Sequence, residues 1–319
     1  MDIFDNFNNK NVKLVCKIDE KINLNGKDYI VDKQLGGGGQ SYVLKILEEI
    51  QEDEFKEYAL KICKTKNKVL KNKDKQVTKV LLNSSFKKEV NIAKEFSGVE
   101  YKTNFITYHF DGYLELRKSD NTNYHSYYVM DLADEALENY LCQRLNWEEE
   151  QEIYPKLKEL ATTVKLLHEK DYVHRDIKPQ NILIHGDLLK LADFGMVEKE
   201  NTTCEKYGPK YWPTPELLEM CDDDVHCSGK RTDVFMLGCI FYFIYTKKYP
   251  IGNIDIGLLK PEYKMKEIIT KMISYKQDDR YNCGNEVLDS INAIDFAQQA
   301  KKQVKHLTMA QVEKRKRKR

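Results

Sequence analysis

Several absences narrow what this chain can be. No apolar run reaches membrane length: the longest, Met236 to Tyr245, is about half of the roughly 20 residues that a helical span requires. A transmembrane segment is therefore not expected. None of the eight cysteines forms a C-x-x-C pair, and Met1-Asp2-Ile3-Phe4-Asp5-Asn6 lacks the basic and apolar regions of a secretory leader. The expectation is an intracellular setting, cytoplasm or nucleus. Neither sign of charge is in excess: 52 Lys and Arg face 51 Asp and Glu, a formal net charge of +1, which argues against global attraction to nucleic acid. Internal repeats are missing too. Cys221, His226 and Cys227 lie close together, but their spacing fits no zinc-ligand pattern, and Asp222-Asp223-Asp224 reads as a solvated loop.

What is present suits a soluble globular protein: 319 residues, 41% hydrophobic and 32% charged, long enough for a substantial core in two lobes. Tyr29-Ile30-Val31 leads into Leu35-Gly36-Gly37-Gly38-Gly39-Gln40-Ser41-Tyr42-Val43-Leu44-Lys45-Ile46, a glycine run between two segments of strand character, which signals a hairpin. Glu57-Tyr58-Ala59-Leu60-Lys61-Ile62 reads as a third strand, with Ala59 and Lys61 on one face because strand side chains alternate. From Lys64 to Lys79 the chain is rich in lysine and asparagine and free of glycine, and reads as a solvated insertion. The helix after it carries Phe86, Val90 and Ala93 at i, i+4 and i+7, together with Glu89. Phe105-Ile106-Thr107-Tyr108 and Tyr127-Tyr128-Val129-Met130 return to strand character and complete a mostly β first lobe near Asp134.

The composition then turns helical. Ile153, Leu157, Leu160, Ala161, Val164 and Leu167 form the stripe of an amphipathic helix. Val234 to Tyr245 is apolar nearly all round, as a helix at the centre of a helical lobe would be. Met265, Ile268, Ile269, Met272 and Ile273 stripe one more.

The densest signal is His174-Arg175-Asp176-Ile177-Lys178-Pro179-Gln180-Asn181, followed twelve residues after Asn181 by Asp193-Phe194-Gly195. Lys61 comes 25 residues after Gly36, and Thr214-Pro215-Glu216 precedes Arg280 in Gln277-Asp278-Asp279-Arg280. Taken singly these are weak. A glycine-rich hairpin is also an ordinary turn, a strand lysine is usually solvated, and Glu89 alone looks like a surface helix acid. In this order they resemble the eukaryotic protein kinases over residues 29 to 290, most closely serine/threonine kinase catalytic domains. The resemblance implies an α+β, two-lobe protein-kinase fold with a small, mostly β N-lobe carrying one main helix and a larger, mostly helical C-lobe. It divides the chain into an N-terminal extension (1–28), a kinase domain (29–290, N-lobe about 29–133, C-lobe about 134–290) and a C-terminal helix and basic tail (291–319).

It also implies transfer of the γ-phosphoryl group of ATP to protein hydroxyls, with Mg²⁺. Asp176 would accept or orient the acceptor's proton, Lys178 would lie near the γ-phosphate, and Lys61 paired with Glu89 would hold the α- and β-phosphates. Asn181 and Asp193 would hold Mg²⁺. Leu35, Gly36, Gly37, Gly38, Gly39, Gln40, Ser41 and Val43 would cover the nucleotide, since a Cβ on Gly36 or Gly38 would obstruct the backbone's approach. Ala59, Lys61, Met130, Asp131, Ala133 and Leu183 would line its site. Glu216 paired with Arg280, and Asp233 anchoring the catalytic-loop backbone, would be structural.

The chain departs from the family in places. Ser41 stands for a third glycine and Gln40 for an aromatic, so the loop would grip phosphates less firmly. Phe235 stands for a tryptophan, and Ala93 is small enough to loosen packing behind Phe194. Lys178 favours Ser/Thr acceptors, whereas Pro209 and Trp212 keep a dual-specificity or tyrosine kinase open. A pseudokinase scaffold is the other alternative, opposed by the presence of Lys61, Asp176 and Asp193. Arg175 beside Asp176 implies that a phosphate at Thr202, Thr203 or Tyr207, from an activating kinase or autophosphorylation, would order the activation loop; these hydroxyls also read as ordinary loop residues. Expected partners are protein substrates, with nucleic acid only through the tail. There, Lys301 to Arg319 holds nine Lys or Arg against Glu313 alone and ends in the run Lys314–Arg319, which reads as solvated disorder, an import signal or an anionic docking strip.

Overall fold

The computed structural model describes residues 19–37, 40–71, 77–81, 83–118, 121–143, 150–204, 214–219, 226–227, 229–250, 254–260 and 264–294. Two compact units share the chain: the first takes residues up to Ala136 together with Leu183–Gly195, the second Leu137–Ile182 and the chain from Met196 onward.

The first unit begins with strands β1 (Lys21–Leu24), β2 (Lys27–Gly37), β3 (Ser41–Gln51) and β4 (Glu54–Lys66), then a hairpin of β5 (Lys68–Lys71) and β6 (Val77–Leu81). Helix α1 (Ser84–Glu95), β7 (Tyr108–Lys118), β8 (Asn121–Asp131) and the short β9 (Glu135–Ala136) follow. Six strands make one antiparallel sheet in the order β1-β2-β3-β4-β8-β7. Alternation puts Leu44 and Ile46 of β3, Leu60 and Ile62 of β4 and Val129 of β8 into one core. On the opposite face, Phe86 and Val90 of α1 pack with Cys63 and Tyr128. With both faces covered, β4 is buried continuously from Tyr58 to Cys63, and that is why its lysine is not a solvated one.

Two sequence expectations need correcting. The lysine-rich stretch from Lys64 is not a featureless insertion: β4 runs on to Lys66, and β5 and β6 pair with Val69 opposite Val80. At their base the buried Asn67 side chain accepts hydrogen bonds from Ser126 Oγ (2.8 Å) and the Asn83 amide (3.2 Å). Composition alone missed these local partners. Of Phe105-Ile106-Thr107-Tyr108, only Tyr108 joins a strand; the Phe105 amide donates back to Tyr101 O (3.0 Å), closing a compact turn.

The chain enters the second unit with α2 (Leu137–Gln143), α3 (Glu150–Glu169) and β10 (Tyr172–Val173). It returns to the first as β11 (Ile182–His185) and β12 (Leu188–Leu191), where β11 pairs with β9. The second unit resumes with β13 (Glu198–Lys199), α4 (Pro215–Glu219), α5 (Lys230–Thr246), α6 (Lys266–Met272) and helical residues 284–294 (α7). The predicted stripe of α3 is buried along its length. Helix α5, buried from Thr232 to Ile244, packs against α3, α6 and β10, so it has no need of a polar face. Gly238 permits the α5–α6 approach, because a Cβ there would stand 2.7 Å from Met272 Cβ. Among the described residues no helix is long and apolar enough to cross a membrane.

Candidate active site

Lys61 is on β4 directly opposite Tyr128 of β8. Its Nζ lies 2.5 Å from Glu89 Oε1 and 2.9 Å from Asp193 Oδ1. Glu89 reaches this point because α1 is started by Asn83, whose side chain accepts from the Phe86 amide (3.1 Å), and because Phe86, Glu89, Val90 and Ala93 share the buried side of the helix. Lys61 and Glu89 are each 5% exposed. Burial alone would favour a neutral amine, but the carboxylates of Asp193 and Glu89 outweigh it and hold the lysine charged, its pKa well above the usual value. The Tyr128 hydroxyl donates to the same Glu89 oxygen (2.8 Å).

Asp193 has a left-handed backbone (φ 65°) and also accepts from the Gly195 amide (3.2 Å). Between them Phe194 stacks on Phe96 (ring centroids 5.9 Å apart, planes 15° apart) and packs on Phe105 (5.8 Å). Ala93 does not leave Phe194 without packing, since these two rings supply it.

The other nucleotide-site candidates of the first unit surround two edges of the same sheet. Leu35, Gly36 and Gly37 end β2, and Ser41 and Val43 begin β3 after Gln40, with Gly36 opposite Val43. A Cβ on Gly36 would meet no atom within 4 Å and its φ is not left-handed, so neither packing nor conformation explains glycine there. Gly38 and Gly39 lie outside the described residues. Ala59 is opposite Met130 across β4 and β8, and β8 ends at Asp131, two residues before Ala133. Burial would raise the Asp131 carboxyl, yet hydrogen bonds from His109 (2.7 Å) and Thr107 draw it down to about 2. Leu183 is on β11, opposite Ala136.

The second unit carries the catalytic-loop residues. Asp176 Oδ2 accepts from Lys178 Nζ (2.7 Å) and Asn181 Nδ2 (2.9 Å), and the same amide nitrogen donates to Asp176 O (2.9 Å). A 3-10 turn, Pro179–Asn181, returns Asn181 toward Asp176. Arg175 adopts φ 68°, a left-handed conformation that costs free energy for a residue with a Cβ. What holds it is Asp233, wholly buried in the first turn of α5, whose carboxylate accepts from the amides of His174 (2.6 Å) and Arg175 (2.8 Å). His168, at the end of α3, adds a third bond to Asp233 (3.0 Å). Its Nδ1 takes the Gly284 amide (2.9 Å), so Nε2 carries the proton and donates.

Glu216 and Arg280 form a two-pronged pair, Nη1 to Oε1 at 3.0 Å and Nη2 to Oε2 at 2.9 Å. Arg280 also donates to Ser274 O and Tyr275 O, and its guanidinium lies 4.6 Å from the Phe235 ring centroid, so phenylalanine supplies an aromatic face there. Among the phosphorylation candidates, Thr202 follows β13 and its amide donates to Lys199 O (3.1 Å), while Thr203 is in a two-residue strand paired with His226–Cys227. Tyr207, Pro209, Trp212, Cys221 and the basic tail lie outside the described residues.

Two contributors escaped the sequence reading. Tyr128 is betrayed only by register, as the cross-strand partner of Lys61. His168 ends the striped helix six residues before His174, where a polar residue beside a buried stripe was the available sign.

The chain matches the family model described as "Protein kinase domain" over residues 29–319. It is similar to the serine/threonine-protein kinase cds1 of Schizosaccharomyces pombe, 27% identical over 226 residues that cover 68% of this chain and 44% of that protein. The dual specificity protein kinase TTK of Mus musculus is 26% identical over 252 residues, 74% of this chain and 26% of that protein. The serine/threonine-protein kinase PKH2 of Candida albicans is 27% identical over 278 residues, 82% of this chain and 26% of that protein. The chain thus spans between 26% and 44% of the length of these curated relatives.

Proposed function

Because the chain belongs to the protein kinase family, we propose that it transfers the γ-phosphoryl group of Mg·ATP to serine or threonine hydroxyls of proteins. The observation that carries this reading is the formed Lys61–Glu89 pair at 2.5 Å, the contact that must be in place for a kinase lysine to meet the α- and β-phosphates. Gly36 supports it, as a glycine whose missing Cβ no protein atom requires. Asp176, held on one oxygen by Lys178 and Asn181, orients the acceptor hydroxyl and takes its proton. The two bonds from Asn181 Nδ2 to Asp176 turn the amide oxygen into the donor left for a metal, and with the Asp193 carboxylate it gives the hard oxygen ligands that suit Mg²⁺. Bound Mg²⁺ would offset triphosphate charge. Lys178 adds a cation beside Asp176, the feature that favours Ser/Thr acceptors. Dual specificity is the second reading, favoured by Pro209 and Trp212.

The test is incubation of the purified chain with γ-labelled Mg·ATP and a mixed peptide library, followed by phospho-amino-acid analysis. Labelled phosphoserine or phosphothreonine is expected, and Asp176→Asn should lower transfer by ~10² or more while nucleotide affinity persists. Phosphotyrosine alone would overturn the acceptor class. Transfer no greater than that of Asp176→Asn would overturn the activity.

A further inference from the structure

Tyr128 has no part in the roles assigned so far, yet it touches the most charged point of the first unit. Its ring is 2% exposed and is set between Phe86 of α1 (centroids 5.7 Å apart) and Tyr108 of β7 (6.4 Å). Strand register puts it directly across from Lys61, whose Nζ is 5.9 Å from the ring centroid. Its hydroxyl bonds Glu89 Oε1 at 2.8 Å, the same oxygen that Lys61 meets at 2.5 Å. Phe86 and Glu89 are three residues apart on one face of α1, so ring and hydroxyl together grip the helix at two points one turn apart. A ring fixed in the central sheet thus restrains a side chain that belongs to a helix.

From this geometry we infer that Tyr128 is a positioning residue for phosphoryl transfer: its hydroxyl holds the Glu89 carboxylate in the orientation that keeps Lys61 directed at the nucleotide. The inference rests on the proposed kinase activity and acts entirely through Glu89. A carboxylate with one donor at one oxygen can rotate about its terminal bond; a second, rigidly mounted donor at that oxygen removes the freedom. Phenylalanine at 128 would keep the packing with Phe86 and Tyr108 and lose only this restraint.

The experiment is a double-mutant cycle on the full chain, with Tyr128→Phe introduced alone and into Glu89→Gln, reading kcat and KM for ATP, affinity for a non-hydrolysable ATP analogue with Mg²⁺, and melting temperature. Tyr128→Phe alone should lower kcat/KM about tenfold, as loss of one hydrogen bond to a charged group predicts, but by less than about twofold in the Glu89→Gln background. Tyr108→Phe, which alters a neighbouring ring without touching Glu89, should stay within about twofold of the wild type. Unchanged kcat/KM in Tyr128→Phe, an equal loss in both backgrounds, or an equal loss in Tyr108→Phe would each overturn the inference. If the wild type binds the analogue but transfers no phosphate, the proposed activity falls by itself. The same cycle read in analogue affinity then decides Tyr128: a weakening that depends on Glu89 supports the positioning role, and one that does not overturns it. A lowered melting temperature with the Glu89 dependence intact still supports it, because a purely structural defect would be independent of Glu89.

Discussion

The two units hold their chemical groups by opposite means. In the first, Lys61, Glu89 and Asp193 are fixed by one another: each partner is itself a working group, and the lysine stays charged because two carboxylates face it. In the second, Asp176 and its neighbours are carried by a backbone whose left-handed residue, Arg175, is held from behind by Asp233, a buried group that meets loop amides. The contrast separates two kinds of vulnerability. Loss of a partner in the first unit disturbs chemistry directly, whereas loss of the anchor in the second disturbs the fold first.

Three substitutions probe that contrast, beginning with the largest effect. Asp233→Ala would leave three buried donors without their acceptor and should lower the stability of unfolding by about 3–5 kcal/mol, measured by denaturant titration. Stability within about 1 kcal/mol of the wild type would break the comparison, because the catalytic loop would then not depend on its anchor. Lys61→Met should reduce phosphoryl transfer by ~10² or more, about 2.7 kcal/mol of barrier, with a smaller loss of stability, since the buried Glu89 can take up a proton in place of its lost cation. Transfer assays beside melting curves would read both. A collapse in stability as large as that of Asp233→Ala would erase the distinction between the units.

The smallest effect concerns the Glu216–Arg280 pair, and Glu216→Gln should cost about 2 kcal/mol at neutral pH. Burial tends to raise the Glu216 carboxyl, but the hydrogen bonds and charge of Arg280 prevail and its pKa lies below the ordinary 4.5. A carboxyl with a depressed folded-state pKa contributes its stabilisation above the ordinary value and loses it as pH falls through the lowered one. The wild type should therefore shed stability on acidification below about 4.5, and the variant should show a flatter acid limb. Parallel curves for the two proteins would assign the acid sensitivity elsewhere.

The fold class was legible because its signals are local. The glycine run between alternating segments, the stripe on α3 and the all-apolar α5 each follow from a short window of sequence. The β5–β6 hairpin was not, because lysine and asparagine describe solvent exposure, while pairing in this stretch depends on which residue ends up opposite which. The long partners β7 and β8 were read only at Tyr108 and over Tyr127–Met130, since their remaining residues, such as Glu115 and Arg117, carry no apolar alternation. The same rule governs the site. Asp176, Lys178 and Asn181 are neighbours in sequence and their mutual bonds could be anticipated, and Lys61 and Glu89 could be paired by order along the chain. Tyr128, by contrast, joins them through sheet register and a ring clamped by Phe86, neither of which any single segment encodes.

The return of Leu183–Gly195 to the first unit has a consequence for the order in which the protein can be made. Strands β11 and β12 and the Phe194 ring are emitted after α2 and α3, so Phe96 and Phe105 wait for their stacking partner, and Lys61 for its second carboxylate, until that stretch leaves the ribosome. A nascent chain halted at Ala136 would hold most of the sheet with Phe96 and Phe105 lacking that partner, a species prone to association. The first unit is thus first in sequence but is not finished first, and its completion falls in the middle of the second unit's synthesis.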